Sequence, residues 1–233
     1  MILSIETSTP ICSVAIHNEG KLVANSELHQ EKSHAGLLAV CVSQLLSNAG
    51  LTTRDLQAVA VSKGPGSYTG LRIGTSTAKG ICFAEDLPLI AVSTLEAMAL
   101  EVSVKMANVL PKNTLLCPML DARRMEVYAS IYSLKMEQIK DVEAIIIDEN
   151  AFDDLIKKTD QFLYFGYGAE KCQAVLKKEN RFNLIPGIQP SANYLGVLAN
   201  ELFIKKEYAD LAYFEPFYLK EFLTKKSSKN LLG

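Results

Sequence analysis

Two stretches of this chain repeat one order of elements, and no other feature of the sequence limits its fold so tightly. In the first, Ile2 to Glu6 is an apolar strand that closes on an acid, Thr7-Ser8-Thr9-Pro10 is a turn, and Cys12 to His17 is a second strand. Asn18-Glu19-Gly20 reads as a hairpin turn into a third strand, Leu22 to Leu28. In the second stretch Leu115 to Leu120 is an apolar strand that closes on Asp121, Ala122-Arg123-Arg124 makes the turn, and Glu126 to Tyr132 is the return strand. The echo continues. Ala58 to Ser62, Gly64-Pro65-Gly66 and Gly70 to Ala84 form strand, glycine loop and helix in the first half, and Phe162 to Phe165, Gly166-Tyr167-Gly168 and Ala169 to Lys178 do so in the second. Two copies of one unit predict an α/β protein of two similar subdomains, each with a mixed sheet flanked by helices, facing one another across a cleft. The expected boundary divides residues 1–110 from 111–233, with a helix over 191–205 returning to the first half.

The glycine loop of the first half carries two readings. A strand, a tight turn at Gly64-Pro65-Gly66 and a helix capped by Ser67 or Thr69 present backbone N–H groups at the positive end of a helix dipole, which accepts phosphate or carboxylate oxygens. Alternatively, the glycines merely let the chain reverse over the sheet edge. Neither the dinucleotide spacing nor the Walker pattern fits, and no nucleophile elbow surrounds Ser67. Within the following helix Gly70, Gly74 and Ala78 recur every four residues beside Thr77 and Gly80, a spacing that admits either another backbone or the sheet beneath. A second helix, capped by Ser33 and running to Asn48, carries an apolar stripe of Leu37, Leu38, Cys41, Val42, Leu45 and Leu46. Ser93-Thr94-Leu95-Glu96 is a capping box that starts a third, to about Val104.

Composition narrows the classes. With 48% apolar and 21% charged residues in 233, the chain has the balance of a globular protein, and no run of about 18 apolar residues spans a membrane. Its first residues read as a strand rather than an export signal, so a cytoplasmic protein is expected. A net charge of −2 argues against a chain that grips nucleic acid by itself, and only Lys220, Lys225, Lys226 and Lys229 form a basic stretch. The five cysteines are dispersed and lack any C-x-x-C pair, and His17, His29 and His34 have no mutual ligand spacing, so no metal site is expected.

The segments IETST at Ile5 to Thr9, SHAGLL at Ser33 to Leu38, KGPGSYTGLRIG at Lys63 to Gly74, STLEAMAL at Ser93 to Leu100, DARRMEVYASIY at Asp121 to Tyr132 and PSANYLGVLA at Pro190 to Ala199 resemble those of the TsaB, or YeaZ, family. That family lies in the glycoprotease-like branch of the actin, sugar kinase and Hsp70 ATPase superfamily, so the resemblance implies a duplicated RNase H-like fold. It also implies a non-catalytic subunit required for threonylcarbamoylation of adenosine 37 in tRNAs that read codons beginning with adenosine. The implied partners are a TsaD-like transferase, a TsaE-like ATPase and a second copy of this chain, with tRNA reached only through the complex. ATP and a metal ion are then expected in the partner subunits, and no cofactor on this chain alone. The implied partner-binding residues are His34, Leu37, Leu38, Cys41, Val42, Leu45, Gly70, Arg72, Ile73, Gly74, Thr77 and Ala78, and the implied nucleotide-binding residues are Glu6, Thr7, Ser8, Gly64, Pro65, Gly66, Asp121 and Arg123. The resemblance places the H-x-x-x-H metal pair of TsaD at Thr94 and Met98, which cannot ligate as imidazoles do. In this superfamily Glu6 and Asp121 stand where metal-phosphate chemistry occurs; they also suit strand-end acids that cap turns. The competing class is an independent phosphotransferase or glycoprotease-like hydrolase, which requires a base, a phosphate clamp or a nucleophile that the sequence does not display.

Overall fold

Every residue of β1 (Ile2–Glu6) is buried, Leu3 and Ile5 toward one layer and Ile2 toward another, as a strand in the middle of a sheet covered on both sides requires. The computed structural model describes residues 1–29, 34–106, 108–157, 159–176 and 180–219. Around β1 are built β2 (Cys12–Asn18), β3 (Lys21–Leu28), β4 (Ala58–Gly64) and β5 (Leu89–Ser93), in the order β3-β2-β1-β4-β5. The first three strands are antiparallel, and β1, β4 and β5 are parallel. The second sheet reproduces this with β6 (Thr114–Asp121), β7 (Glu126–Ser133), β8 (Gln138–Ile146), β9 (Gln161–Phe165) and β10 (Phe182–Ile185), in the order β8-β7-β6-β9-β10 and with the same strand directions. The chain therefore has the duplicated α/β fold that the repeat predicts. Strands β8 and β10 were not expected: β8 is a charged edge strand without a buried residue, and β10 has only four residues.

The helices are duplicated less evenly. After the third and fourth strands of the first half come α1 (His34–Asn48) and α2 (Tyr68–Glu85), of 15 and 18 residues; their counterparts α4 (Asp153–Ile156) and α5 (Gln173–Leu176) have four each. The helix expected over Ala169 to Lys178 is thus a 3-10 turn, Glu170–Cys172, followed by α5; Lys177 and Lys178 lie outside the described residues, as does the expected cap Ser33. Ser67 is the cap of α2, its hydroxyl accepting from the Gly70 amide at 3.2 Å.

The two halves exchange their last helices. In α3 (Thr94–Met106), Leu95, Met98, Ala99 and Val102 pack with Leu116, Leu120, Leu163 and Phe165 of the second sheet. In α6 (Ala192–Lys205), Leu195 and Ala199 pack with Ile2, Ala58, Ala60, Ile90 and Val92 of the first. Each buried Leu, Val or Met contributes about 1.5–3 kcal/mol, so neither half closes its core alone. The start of α6 is pinned to β2 and β3: the hydroxyls of Ser13 and Ser191 donate to Glu27 Oε1 at 3.0 and 2.5 Å, and the Ala192 amide donates to Ser13 Oγ at 2.9 Å. His17, buried at the end of β2, lies flat on Gly196, where a Cβ would stand 2.0 Å from Nδ1.

Residues 206–219 continue past α6 as a strap. The Ala209 amide donates to the Leu89 carbonyl at 2.8 Å, Leu211 and Phe214 pack on the first core, and the Phe217 amide donates to the Lys63 carbonyl at 2.7 Å. The strap thereby covers the edge that β5 would otherwise expose.

Candidate functional site

At the end of β1 the Glu6 carboxyl is wholly buried, and one oxygen accepts the Ser8 amide at 2.6 Å. The other oxygen has no partner among the described residues. Burial pushes this carboxyl above its ordinary range against the pull of the Ser8 amide. The turn that follows is pressed into the first turns of α2. Thr7 Oγ1 donates to the Gly70 carbonyl at 2.8 Å, and the Ser67 amide donates to the Ser8 carbonyl at 2.6 Å. A Cβ would come within 2.5 Å of Ser8 at Gly66, 2.1 Å of the Thr7 carbonyl oxygen at Gly70 and 2.3 Å of Thr7 Oγ1 at Gly74. These glycines admit the Thr7–Ser8 turn, and the Ser67 amide that an anion would seek is already engaged. Gly64, at φ +97°, faces Leu71 and the Phe217 carbonyl, and Pro65 is buried beside it.

The second half repeats the arrangement with different chemistry. Asp121 Oδ1 accepts the Arg123 amide at 2.9 Å and forms an ion pair with the Lys171 ammonium. Lys171 also donates to the carbonyls of Arg124 and Glu126, at 2.8 and 2.6 Å. The Arg123 and Arg124 side chains are exposed and their backbones left-handed, at φ 68° and 48°; it is Lys171 that neutralises the acid. Gly168 meets the Leu120–Asp121 backbone as Gly66 meets Ser8. Lys171 escaped the sequence reading because nothing in the first half corresponds to it. Thr94 and Met98 are both buried, and a Cβ at Gly166 would lie 2.2 Å from the Met98 methyl, so this stretch of α3 is filled by packing. Among the described residues no three His, Cys, Asp or Glu side chains are grouped to hold a metal ion, and no helix is long and apolar enough to cross a membrane.

Helices α1 and α2 lie side by side on one face of the first sheet. Of the twelve residues assigned to this surface, Leu38, Val42 and Leu45 are buried in the first core, and Gly70, Gly74 and Ala78 are buried too. Leu38, Val42 and Leu45 of the apolar stripe read from the sequence face inward, and those six positions lie on the undersides of the helices. Leu37, Cys41, Ile73 and Thr77 are half-buried and Arg72 is exposed; of His34, which opens α1, the side chain lies outside the described residues. The outer surface includes Ala35, Gly36, Ala39, Val40 and Ser43 on α1 and Arg72, Ser76, Gly80, Phe83 and Ala84 on α2, with Val40 57% and Phe83 84% exposed. From Ala35 to Asn48 there is no Asp, Glu, Lys or Arg. Among the described residues nothing lies within 4 Å of where a Cβ would stand at Gly36 or Gly80.

Comparison with known proteins follows the same lines. Residues 21–227 match the family described as TsaD: tRNA N6-adenosine threonylcarbamoyltransferase. The chain is 31% identical over 226 residues to the tRNA threonylcarbamoyladenosine biosynthesis protein TsaB of Escherichia coli (strain K12), covering 94% of each chain. It is 30% identical over 228 residues to the protein of the same name from Bacillus subtilis (strain 168), covering 94% of this chain and 93% of that one. Among solved structures, YeaZ from Pseudomonas aeruginosa superposes with a TM-score of 0.77 at 24% identity, over 94% of this chain and 99% of that one, which shows a shared fold.

Proposed function

The chain belongs to the TsaB family of tRNA threonylcarbamoyladenosine biosynthesis proteins, and from that premise we propose that it acts in the cytoplasm as a non-catalytic subunit, docking a TsaD-like transferase through the outer surface of α1 and α2. The observation that carries this reading is the pair of helical glycines with open space above them. A glycine within a helix costs about 0.5–1 kcal/mol relative to alanine, and here no contact with the described residues recovers it. Small residues let a second helix approach closely, Val40 and Phe83 give that approach an apolar anchor, and the absence of charge along α1 removes the desolvation cost of closing it. A second copy of the chain would use the same surface, so self-pairing and transferase pairing exclude one another.

The filled positions Thr94 and Met98, and the Glu6 carboxyl sealed within its own turn, are consistent with chemistry that resides in a partner. A TsaE-like ATPase completes the proposed assembly, which carries the tRNA. The test is Val40→Glu combined with Gly80→Arg, both at exposed positions. The variant is expected to keep or slightly raise its melting temperature, to lose co-elution with the transferase and to leave tRNA unmodified in a reconstituted reaction. Undiminished pairing would overturn the assignment of the face, and modification by this chain without a transferase would overturn the subunit role.

A further inference from the structure

Helices α1 and α2 alone offer too little surface for a stable complex. Of the ten outer residues named on them, seven are Gly, Ala or Ser. A stable protein contact takes roughly 20–30 residues a side, with Tyr, Phe and Arg enriched at its centre. The strap supplies such residues on the free flank of α2. Helix α1 packs over β2 and β3, whereas the strap hydrogen-bonds to Leu89 of β5 and Lys63 of β4, so the two lie on opposite sides of α2. Two contacts join the strap to that helix: Lys79 Nζ donates to the Ala212 carbonyl at 3.1 Å, and the Tyr218 ring lies 4.8 Å from that of Tyr68. Arg72, itself on the outer surface, donates to the Tyr68 hydroxyl at 2.7 Å with its guanidinium 5.1 Å from the centre of the same ring. The outer face of α2 is therefore continuous with an aromatic surface.

Tyr213 stands out on that surface. Its ring is 86% exposed although the backbone beneath it is fixed. The amides of Ala212 and Tyr213 donate to Asp210 Oδ1 at 2.8 and 2.9 Å, the Phe214 amide donates to the Asp210 carbonyl at 2.8 Å, and the Phe214 side chain packs on the first core. A large ring on an ordered backbone loses little freedom when it docks, which is what an anchoring residue requires. Phe217 and Tyr218 are exposed farther along, on either side of no charged residue, and Pro216 before them is buried. The strap's own charges are Lys206 against Glu207, Asp210 and Glu215, a balance that repels a phosphate backbone and leaves a protein as the occupant.

We infer that the partner seated on α1 and α2 extends across α2 onto the strap, with Tyr213 as an anchor and the cluster of Tyr68, Arg72 and Tyr218 as a further contact. The occupant is the TsaD-like transferase. The inference rests on the docking reading above and adds the flank that brings the surface toward the size a stable complex needs.

The experiment is titration calorimetry of the full chain against a TsaD-like transferase, with sedimentation velocity of the chain alone and hydroxyl-radical footprinting of the mixture. Tyr213→Ala, at an exposed position, is expected to keep its melting temperature and to weaken transferase pairing about tenfold. In the wild-type mixture, radical oxidation of Tyr213 and Phe217 is expected to fall. Undiminished pairing in Tyr213→Ala, while Val40→Glu/Gly80→Arg abolishes it, overturns this inference and leaves the docking reading standing. Undiminished pairing in both variants overturns the two together. Weaker self-association of Tyr213→Ala with transferase pairing unchanged assigns the strap to a second copy of the chain and also overturns the inference.

Discussion

Replacing Gly36 and Gly80 together by alanine should make the isolated chain more stable and its assembly weaker. Gly80 lies in the interior of α2 and Gly36 in the first turn of α1, and at both a Cβ meets nothing within 4 Å among the described residues. Gly80→Ala removes about 0.5–1 kcal/mol of backbone entropy cost and Gly36→Ala, in the first turn, at most as much, so the pair contributes up to about 2 kcal/mol. For a domain of this size 1 kcal/mol moves the melting temperature by about 2–4 °C, which gives a rise of up to about 8 °C by circular dichroism. The same two methyl groups separate the helix backbones of a docked partner, so titration calorimetry against the transferase should show weaker pairing. A fall in melting temperature would mean that the glycines serve an internal purpose. A rise without any loss of pairing would mean that the docking face lies elsewhere.

The other predictions concern the supporting structure. Gly70→Ala drives a Cβ to 2.1 Å from the Thr7 carbonyl oxygen and should destabilise the chain by about 1–3 kcal/mol or more, measured by urea unfolding; an unchanged midpoint would refute the close approach of the two turns. Burial holds the His17 imidazole below its ordinary 6.5, so the unfolded chain takes up this proton before the folded one. The resulting stability is complete above pH 6.5 and declines as pH falls through it, and His17→Leu should flatten that part of the wild-type stability profile. Lys171→Met strips the Asp121 turn of its cation and of two carbonyl bonds; proteolysis at the Arg123–Arg124 bond should then accelerate, and equal cleavage rates would contradict the locking role of Lys171.

The sequence made the sheets legible through their repetition. The strand-acid-turn-strand order around Glu6 and Asp121 survives in two copies because buried strands demand apolar runs, and glycine is demanded wherever the turn meets a helix. The edge strand β8 stayed hidden because Lys140, Asp141 and Glu143 interrupt its pattern, and the strap over residues 206–219 because it has no periodicity. The exchange of α3 and α6 is a matter of tertiary choice: an apolar face does not state which sheet it will cover. Apolar periodicity picks out the residues that fill the core, Leu38, Val42 and Leu45 among them, whereas the outward face of α1 and α2 is marked in the sequence only by the absence of charge along α1 and by Gly36 and Gly80.

Hydrogen exchange of the chain alone and mixed with a TsaD-like transferase, the proposed partner, tests the account most directly. Protection on mixing should concentrate in peptides covering His34–Asn48 and Tyr68–Glu85, with the strands of both sheets unchanged. Protection confined to the turns around Glu6 and Asp121, or none in the two helices, would contradict it.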